Sequence, residues 1–137
     1  MKKFNCVMLI DDDGVTNFIN YRLIKKLDIT DSIESSINGN EALNFLKRYS
    51  LEHDSNCPEL ILLDLNMPVM DGFEFLNLFK NFKCKNKKDI KVIVLTTSTH
   101  QKDIDAIIRD KNIGYITKPL TEKKLFSYIN NEISTCA

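Results

Sequence analysis

Four short apolar runs in this 137-residue chain each lead into a side chain that can do chemistry. Cys6–Ile10 ends in Asp11, Asp12 and Asp13; Leu60–Leu63 ends in Asp64; Val92–Leu95 ends in Thr96; and Ile113–Thr117 is followed by Lys118. Carboxylates brought close together repel, at a cost of roughly 4 kcal/mol for a pair 4 Å apart at an effective dielectric near 20. A fold tolerates this if one carboxylate is protonated or if a cation neutralises the group. A small set of oxygen donors beside a polar loop suits Mg²⁺ (or Mn²⁺), which keeps several waters and takes one or two carboxylates. A lysine ammonium and a threonine hydroxyl can both bind phosphoryl oxygens. A carboxylate can itself be the nucleophile and become an aspartyl-phosphate. Each residue alone has a plainer reading. Asp64 and Asp13 would be helix-capping acids, Thr96 a strand-end hydroxyl and Lys118 a surface lysine. Only their joint placement would change those readings, and the placement depends on the elements between them.

Those elements alternate. Cys6–Ile10 reads as a first strand. Val15, Phe18, Ile19, Leu23 and Leu27 recur at helical spacing and define a first helix. Ser32–Ile37 is a weaker second strand, ended by Asn38-Gly39, and a second helix follows over Glu41–Tyr49. Residues 50–58 are polar and close with Pro58, so they read as a loop. Leu60–Leu63 is an unbroken apolar run, as a strand covered on both faces requires. Asn66, Pro68 and Asp71-Gly72 break it, and Phe73, Leu76 and Phe79 continue as a third helix. The run Lys80, Lys83, Lys85, Lys87, Lys88 and Lys91 reads as a solvated loop. Val92–Leu95 is the fourth strand, about 100–111 the fourth helix and Ile113–Thr117 the fifth strand. Thr121 can cap a final helix carrying Leu125, Ile129 and Ile133.

Five strand–helix units in one short chain imply an α/β, doubly wound (βα)5 fold of flavodoxin-like type. Its parallel five-stranded sheet is expected in the order 2-1-3-4-5. That order sets strands one and three side by side, so Asp11, Asp12 and Asp64 meet at the topological switch point, with Thr96 and Lys118 on the next two strand ends. Residues 1–137 are expected to form a single domain, with a core of about 5–133 and no attached output domain.

Nineteen basic and nineteen acidic side chains cancel, and 43% hydrophobic with 28% charged residues is ordinary for a globular protein. No whole-molecule field points to nucleic acid. No apolar run approaches the roughly 20 residues that would span a bilayer. The apolar run after Lys2-Lys3 is too short for a signal peptide, so a cytoplasmic protein is expected. Cys6, Cys57, Cys84 and Cys136 show no C-x-x-C pairing, and His53 and His100 lie far apart, so reduced thiols are expected rather than a zinc or disulfide framework.

Met8-Leu-Ile-Asp-Asp-Asp13, Leu62-Leu-Asp-Leu-Asn-Met-Pro68 with Asp71-Gly72, Val94-Leu-Thr96 and Tyr115-Ile-Thr-Lys-Pro119 are each weak motifs. In this order, each at a strand end, they are specific. Over about residues 5–133 the chain resembles the receiver (response regulator) domains of two-component signalling, the free-standing chemotaxis type in particular. The resemblance implies a phosphorylation-dependent switch, not an enzyme, with Asp64 as phosphoacceptor. It implies Asp12 as direct Mg²⁺ ligand, Asp11 acting largely through water, and the Asn66 carbonyl completing the metal site. Thr96 matches the switch hydroxyl, Lys118 the phosphate-binding lysine and Tyr115 the aromatic switch, and the Lys118–Pro119 bond is expected to be cis. The implied phosphoryl donor is a sensor histidine kinase or a histidine phosphotransfer protein, and the output a downstream protein target reached through the helix 4–strand 5–helix 5 face. Direct nucleic-acid binding and membrane insertion are not implied.

The chain departs from the commonest pattern at Thr97, where a small residue is usual beside the switch hydroxyl, and at Asn66 and Ser98, both polar and able to orient water. One alternative is a phosphohydrolase of haloacid dehalogenase type, which also uses a strand-end Asp with Thr, Lys and Mg²⁺. It needs a second Asp two residues after the nucleophile, where this chain has Asn66. A flavin-binding carrier on the same fold would need a phosphate loop after strand one, where three aspartates would repel it.

Overall fold

The computed structural model describes residues 3–65, 67, 70–97, 105 and 113–136, with side chains described as far as Ile129 in the last stretch. Strands β1 (Val7–Ile10), β2 (Ile33–Ser36), β3 (Leu60–Asp64), β4 (Lys91–Thr96) and β5 (Ile113–Thr117) form one sheet in the order β2-β1-β3-β4-β5. Every pairing is parallel. Helices α1 (Gly14–Leu27), α2 (Gly39–Glu52), α3 (Gly72–Lys80) and a final helix (Glu122–Cys136) are the helices among the described residues, with a 3-10 turn at Lys87–Asp89. This is the flavodoxin-like order that the alternation predicts. The expected fourth helix lies outside the described residues apart from Asp105, which is helical and exposed.

The unbroken apolar strands are explained by two separate cores. Alternate strand residues point to opposite faces. Met8, Ile10, Ile61, Leu63, Val92 and Val94 pack with Ala42 and Leu46 of α2 and with Phe75 and Phe79 of α3. Val7, Leu9, Leu60, Leu62, Ile93 and Leu95 pack on the other face with Ile24 of α1 and with Leu125 and Ile129 of the final helix. Leu60, Ile61, Leu62 and Leu63 are all at most 1% exposed. Each such side chain contributes about 1.5–3 kcal/mol relative to exposure, which anchors β3 firmly between both cores.

Helix starts follow from capping residues. Asp13, Asn38 and Asp71 accept from backbone N–H groups at the first turns of α1, α2 and α3, and Thr121 accepts from Lys124 N at the final helix. α2 runs three residues beyond its predicted end. The His53 ring stacks on Tyr49 at 3.8 Å and its Nδ1 lies 2.9 Å from the Tyr49 carbonyl oxygen, so the polar residues there close the helix instead of forming a loop. α1 forms where its periodicity predicts, but the face it buries is different. Asn17, Asn20 and Ile24 are buried, whereas Val15, Phe18 and Ile19 are 67%, 60% and 58% exposed.

The expectation of reduced thiols fails for two of the four cysteines. Cys57 and Cys84 form a disulfide, with Cα atoms 5.8 Å apart. The reason lies in topology: the β3–α3–β4 crossover returns the chain to the end of the sheet where β3 began, so the segment before β3 meets the segment before β4. Hydrogen bonds hold the same junction. Cys57 N donates to Asn86 Oδ1 at 2.9 Å, and Asn86 Nδ2 donates back to the Cys57 carbonyl at 2.8 Å. Asn5 and Glu59 exchange a backbone N–H for a side-chain oxygen in both directions, at 2.7 and 2.8 Å. Cys6 stays free and buried, and burial pushes its thiol up to about 11. The lysine run is also less uniform than predicted. Lys87 turns inward, its ammonium 2.6 and 2.7 Å from the Phe79 and Phe82 carbonyl oxygens at the end of α3 and 3.9 Å from the Phe79 ring centroid.

Candidate functional site

The first three aspartates have three different environments. Asp11 is 3% exposed, and its N–H donates to the Ser36 carbonyl at 3.0 Å, continuing the β1–β2 ladder past the strand. Its Oδ1 accepts from Asp13 N at 2.9 Å, which turns the loop and leaves Asp12 exposed at the tip. Asp13 caps α1. The Thr16 hydroxyl, at 2.8 Å, and then Val15 N, at 3.0 Å, hold its carboxyl below the usual carboxylate range. Asn17 fixes the loop from beneath, its Nδ2 donating to the Asp11 and Ser36 carbonyls at 2.9 and 3.1 Å. Sequence reasoning passed over Asn17, because its position on α1 falls off the apolar periodicity used to place the helix. The usable signal was an amide six residues after Asp11, on the first turn over the strand end.

Asp64 closes β3 and is 4% exposed. Lys118, directly after β5, reaches across β4 to it. Its Nζ lies 3.0 Å from Asp11 Oδ2 and 3.2 Å from Asp64 Oδ1. Its backbone N–H donates to the Thr96 carbonyl at 2.9 Å, and the Lys118–Pro119 peptide is cis. Burial pulls the Lys118 ammonium down, but the hydrogen bond and charge of Asp11, together with the charge of Asp64, outweigh it, and the group sits above its ordinary value. A carboxylate oxygen from each of Asp11, Asp12 and Asp64 lies within 4.8 Å of the others. Three carboxylates against one ammonium leave two formal negative charges in a set of hard oxygen donors, which fits a divalent cation of the Mg²⁺ class.

Thr96 ends β4 and is 1% exposed. Tyr115 pairs with Val94 and Thr117 with Thr96, so Tyr115 and Thr96 share one face of the sheet. The Tyr115 side is half open, at 38% exposure. Thr97 is exposed. Asn66, Pro68 and Ser98 lie outside the described residues. Gly72 is a further residue the site needs. A Cβ there would lie 2.8 Å from Leu65 Cα and 2.9 Å from the Asp64 carbonyl, so only glycine lets α3 start directly against the end of β3. Its N–H donates to the Leu65 carbonyl at 2.9 Å.

The structure thus gathers Asp11, Asp12, Asp64 and Lys118 into one cluster, with Thr96 on the adjoining strand end. Comparisons with known proteins agree with this fold. The family model of the response regulator receiver domain matches residues 7–130. The chain is 32% identical to the response regulator Rcp1 of Synechocystis sp. over 90% of this chain and 82% of that protein. It is 30% identical to the probable methanogenesis regulatory protein FilR2 of Methanothrix harundinacea over 87% of this chain and 75% of that protein. Among solved structures it resembles a two-component response regulator from Cytophaga hutchinsonii, with a TM-score of 0.83 and 31% identity over 97% of this chain and 99% of that one. The comparisons lend no support to a phosphohydrolase of haloacid dehalogenase type. Among the described residues no helix is long and apolar enough to cross a membrane.

Proposed function

Because this chain belongs to the response regulator receiver domain family, whose members are signalling switches rather than enzymes in the usual sense, we propose that Asp64 is the residue through which it is switched. Receiver domains are phosphorylated by histidine kinases or phosphotransfer proteins. In the proposed reaction an Asp64 carboxylate oxygen attacks the phosphorus of a donor phosphohistidine. The P–N bond breaks, the imidazole leaves, and an acyl phosphate forms on Asp64. The observation that carries this reading is the Lys118 ammonium held between Asp11 and Asp64, which puts a fixed positive charge where phosphoryl oxygens would arrive.

Asp11, Asp12 and Asp64, with the Asn66 carbonyl, would hold Mg²⁺ (or Mn²⁺), which when bound neutralises charge on the transferring group. Asn17 keeps the Asp11 loop in place while this charge changes. The exposed apolar patch of Val15, Phe18 and Ile19 lies on the first turns after the acidic loop and offers a docking surface for the donor protein. Once phosphorylated, Asp64 draws in the Thr96 hydroxyl, and Tyr115, on the same face, follows it. That shifts a two-state equilibrium read by a downstream protein on the helix 4–strand 5–helix 5 face. In this reading the domain acts in the cytoplasm, where such phosphoryl donors present their phosphohistidines.

Labelling with radioactive acetyl phosphate tests the assignment. The wild-type chain should take up label only with divalent cation present, and Asp64→Asn should lose uptake by more than about 10³-fold. Equal labelling of the variant would remove Asp64 from the role.

A further inference from the structure

At the opposite end of the sheet from Asp64, an open cleft of about 460 Å³ lies against the disulfide. Cys84, Ser55 and four lysines, Lys80, Lys83, Lys85 and Lys87, are among the residues that line it, and no acidic side chain does so among the described residues. We propose that Cys57–Cys84 is a reducible clasp, opened by attack on Cys84 by small anionic thiols that this lysine-lined cleft attracts.

The two sulfurs are not equivalent. Cys57 is 0% exposed, packed in the core beneath the sheet end, whereas Cys84 is partly exposed and forms part of the cleft wall. An incoming thiolate therefore has one approach. Charge favours anions along it. Lys80 and Lys83 are exposed at the rim. Lys87 is fixed inward on the Phe79 and Phe82 carbonyls, and among the described residues no carboxylate pairs with it. Among the described residues, Lys85 is the one cleft lysine whose charge is offset, by Asp54 at 3.1 Å, and that pair is exposed. A positive field of this kind concentrates anionic reactants and stabilises thiolate on Cys84 once it forms.

The exchange balances with a thiol as the co-reactant. A thiolate attacks Cys84 Sγ, the Cys57–Cys84 bond breaks, and a mixed disulfide forms on Cys84 while Cys57 leaves as thiolate and takes a proton from solvent. A second thiolate then attacks the external sulfur of the mixed disulfide. It releases the small-molecule disulfide and leaves Cys84 reduced, so two thiols supply the two electrons. Cys6 does not compete, being buried and held protonated. Opening the clasp leaves the segments before β3 and β4 joined by the Asn86–Cys57 and Lys85–Ser55 hydrogen bonds. The loop it closes contains all of β3 and α3.

The test uses the native oxidised chain and three probes at equal thiolate concentration: 2-mercaptoethanesulfonate, 2-mercaptoethanol and cysteamine. Samples are acid-quenched, alkylated and mapped by mass spectrometry. At low salt the sulfonate should react roughly tenfold faster than cysteamine, with the neutral thiol between them. The adduct should map to Cys84. The charge order should collapse at about 0.5 M salt and in the Lys80→Gln/Lys83→Gln double variant, both positions being exposed. Rates independent of thiol charge, an adduct on Cys57, or an opening rate independent of thiol concentration would each overturn the proposal. None of these readouts depends on the role assigned to Asp64.

Discussion

The two ends of the sheet are built on opposite terms. At the carboxyl ends of the strands, like charges are packed together and bridged by the Lys118 ammonium, which Asp11 and Asp64 share. At the amino ends, groups are matched one to one. Asn5 pairs with Glu59, Asn86 with Cys57, and Cys57 is covalently joined to Cys84. The first end stores unfavourable electrostatics that a cation can relieve, whereas the second supplies the constraint that tolerates it. Regions that must respond are drawn from the less stable part of a protein, and rigid elements hold them in place.

Four substitutions or conditions separate the two ends. The largest effect belongs to Asp64→Asn. Beyond losing phosphoryl uptake, this protein should unfold at a denaturant concentration no lower than wild type, because one of three clustered carboxylates is gone. A clear loss of stability would mean that the carboxyl end is also structural. Cys84→Ala should do the converse. Releasing a 27-residue separation costs about 3–4 kcal/mol on the chain-entropy account, read as a lowered urea midpoint, while phosphoryl uptake per folded molecule stays within about twofold. Uptake falling in step with stability would show that the ends are coupled. Gly72→Ala lies where the two demands meet. Its methyl group would press on Leu65 and the Asp64 carbonyl, at a cost of about 1–3 kcal/mol, and both stability and labelling should fall.

The smallest effect is a pH dependence. Lys118 is raised in the folded chain, so the stability it contributes is fully present below the ordinary lysine pKa and is lost as pH rises through the higher folded value. The stability gap between wild type and Lys118→Gln should therefore be flat near neutrality and narrow only above about pH 10.4. A gap that narrows between about pH 6 and 8 would show that another group governs the pair.

The carboxyl end was legible in the sequence because its information is local. Each apolar strand stops at a chemically distinctive residue, and a parallel sheet brings such stops together whatever lies between them. Strand β5 has the bounds the pattern predicts, and the strand order is the one that alternation and right-handed crossovers favour. The amino end was not legible. Cys57 and Cys84 carry no spacing signature, and only the return of the β3–α3–β4 crossover makes them neighbours. Both do stand shortly before adjacent parallel strands, and that is the signal a reader could use. α1 misled for another reason. Val15, Phe18 and Ile19 of its apolar periodicity form a surface patch, and only Leu23 and Leu27 pack against the core. The buried positions include Asn17 and Asn20, whose amides a hydrophobic pattern does not count. Lys87 was hidden by its charged neighbours, because composition does not distinguish a solvated ammonium from one seated on carbonyl oxygens.

The division of β3 between two cores has a consequence for how this sequence can drift. Leu60 and Leu62 belong to one face, Ile61 and Leu63 to the other, and the strand is hydrogen-bonded on both sides. Exchanges among Leu, Ile and Val leave both cores filled at modest cost. One added residue within the run would preserve hydropathy and composition almost perfectly. It would also advance the strand end by about 3.3 Å and turn every following side chain to the wrong face. β3 is therefore permissive about spelling and intolerant about count, and what its count protects is the distance between Asp64 and Lys118.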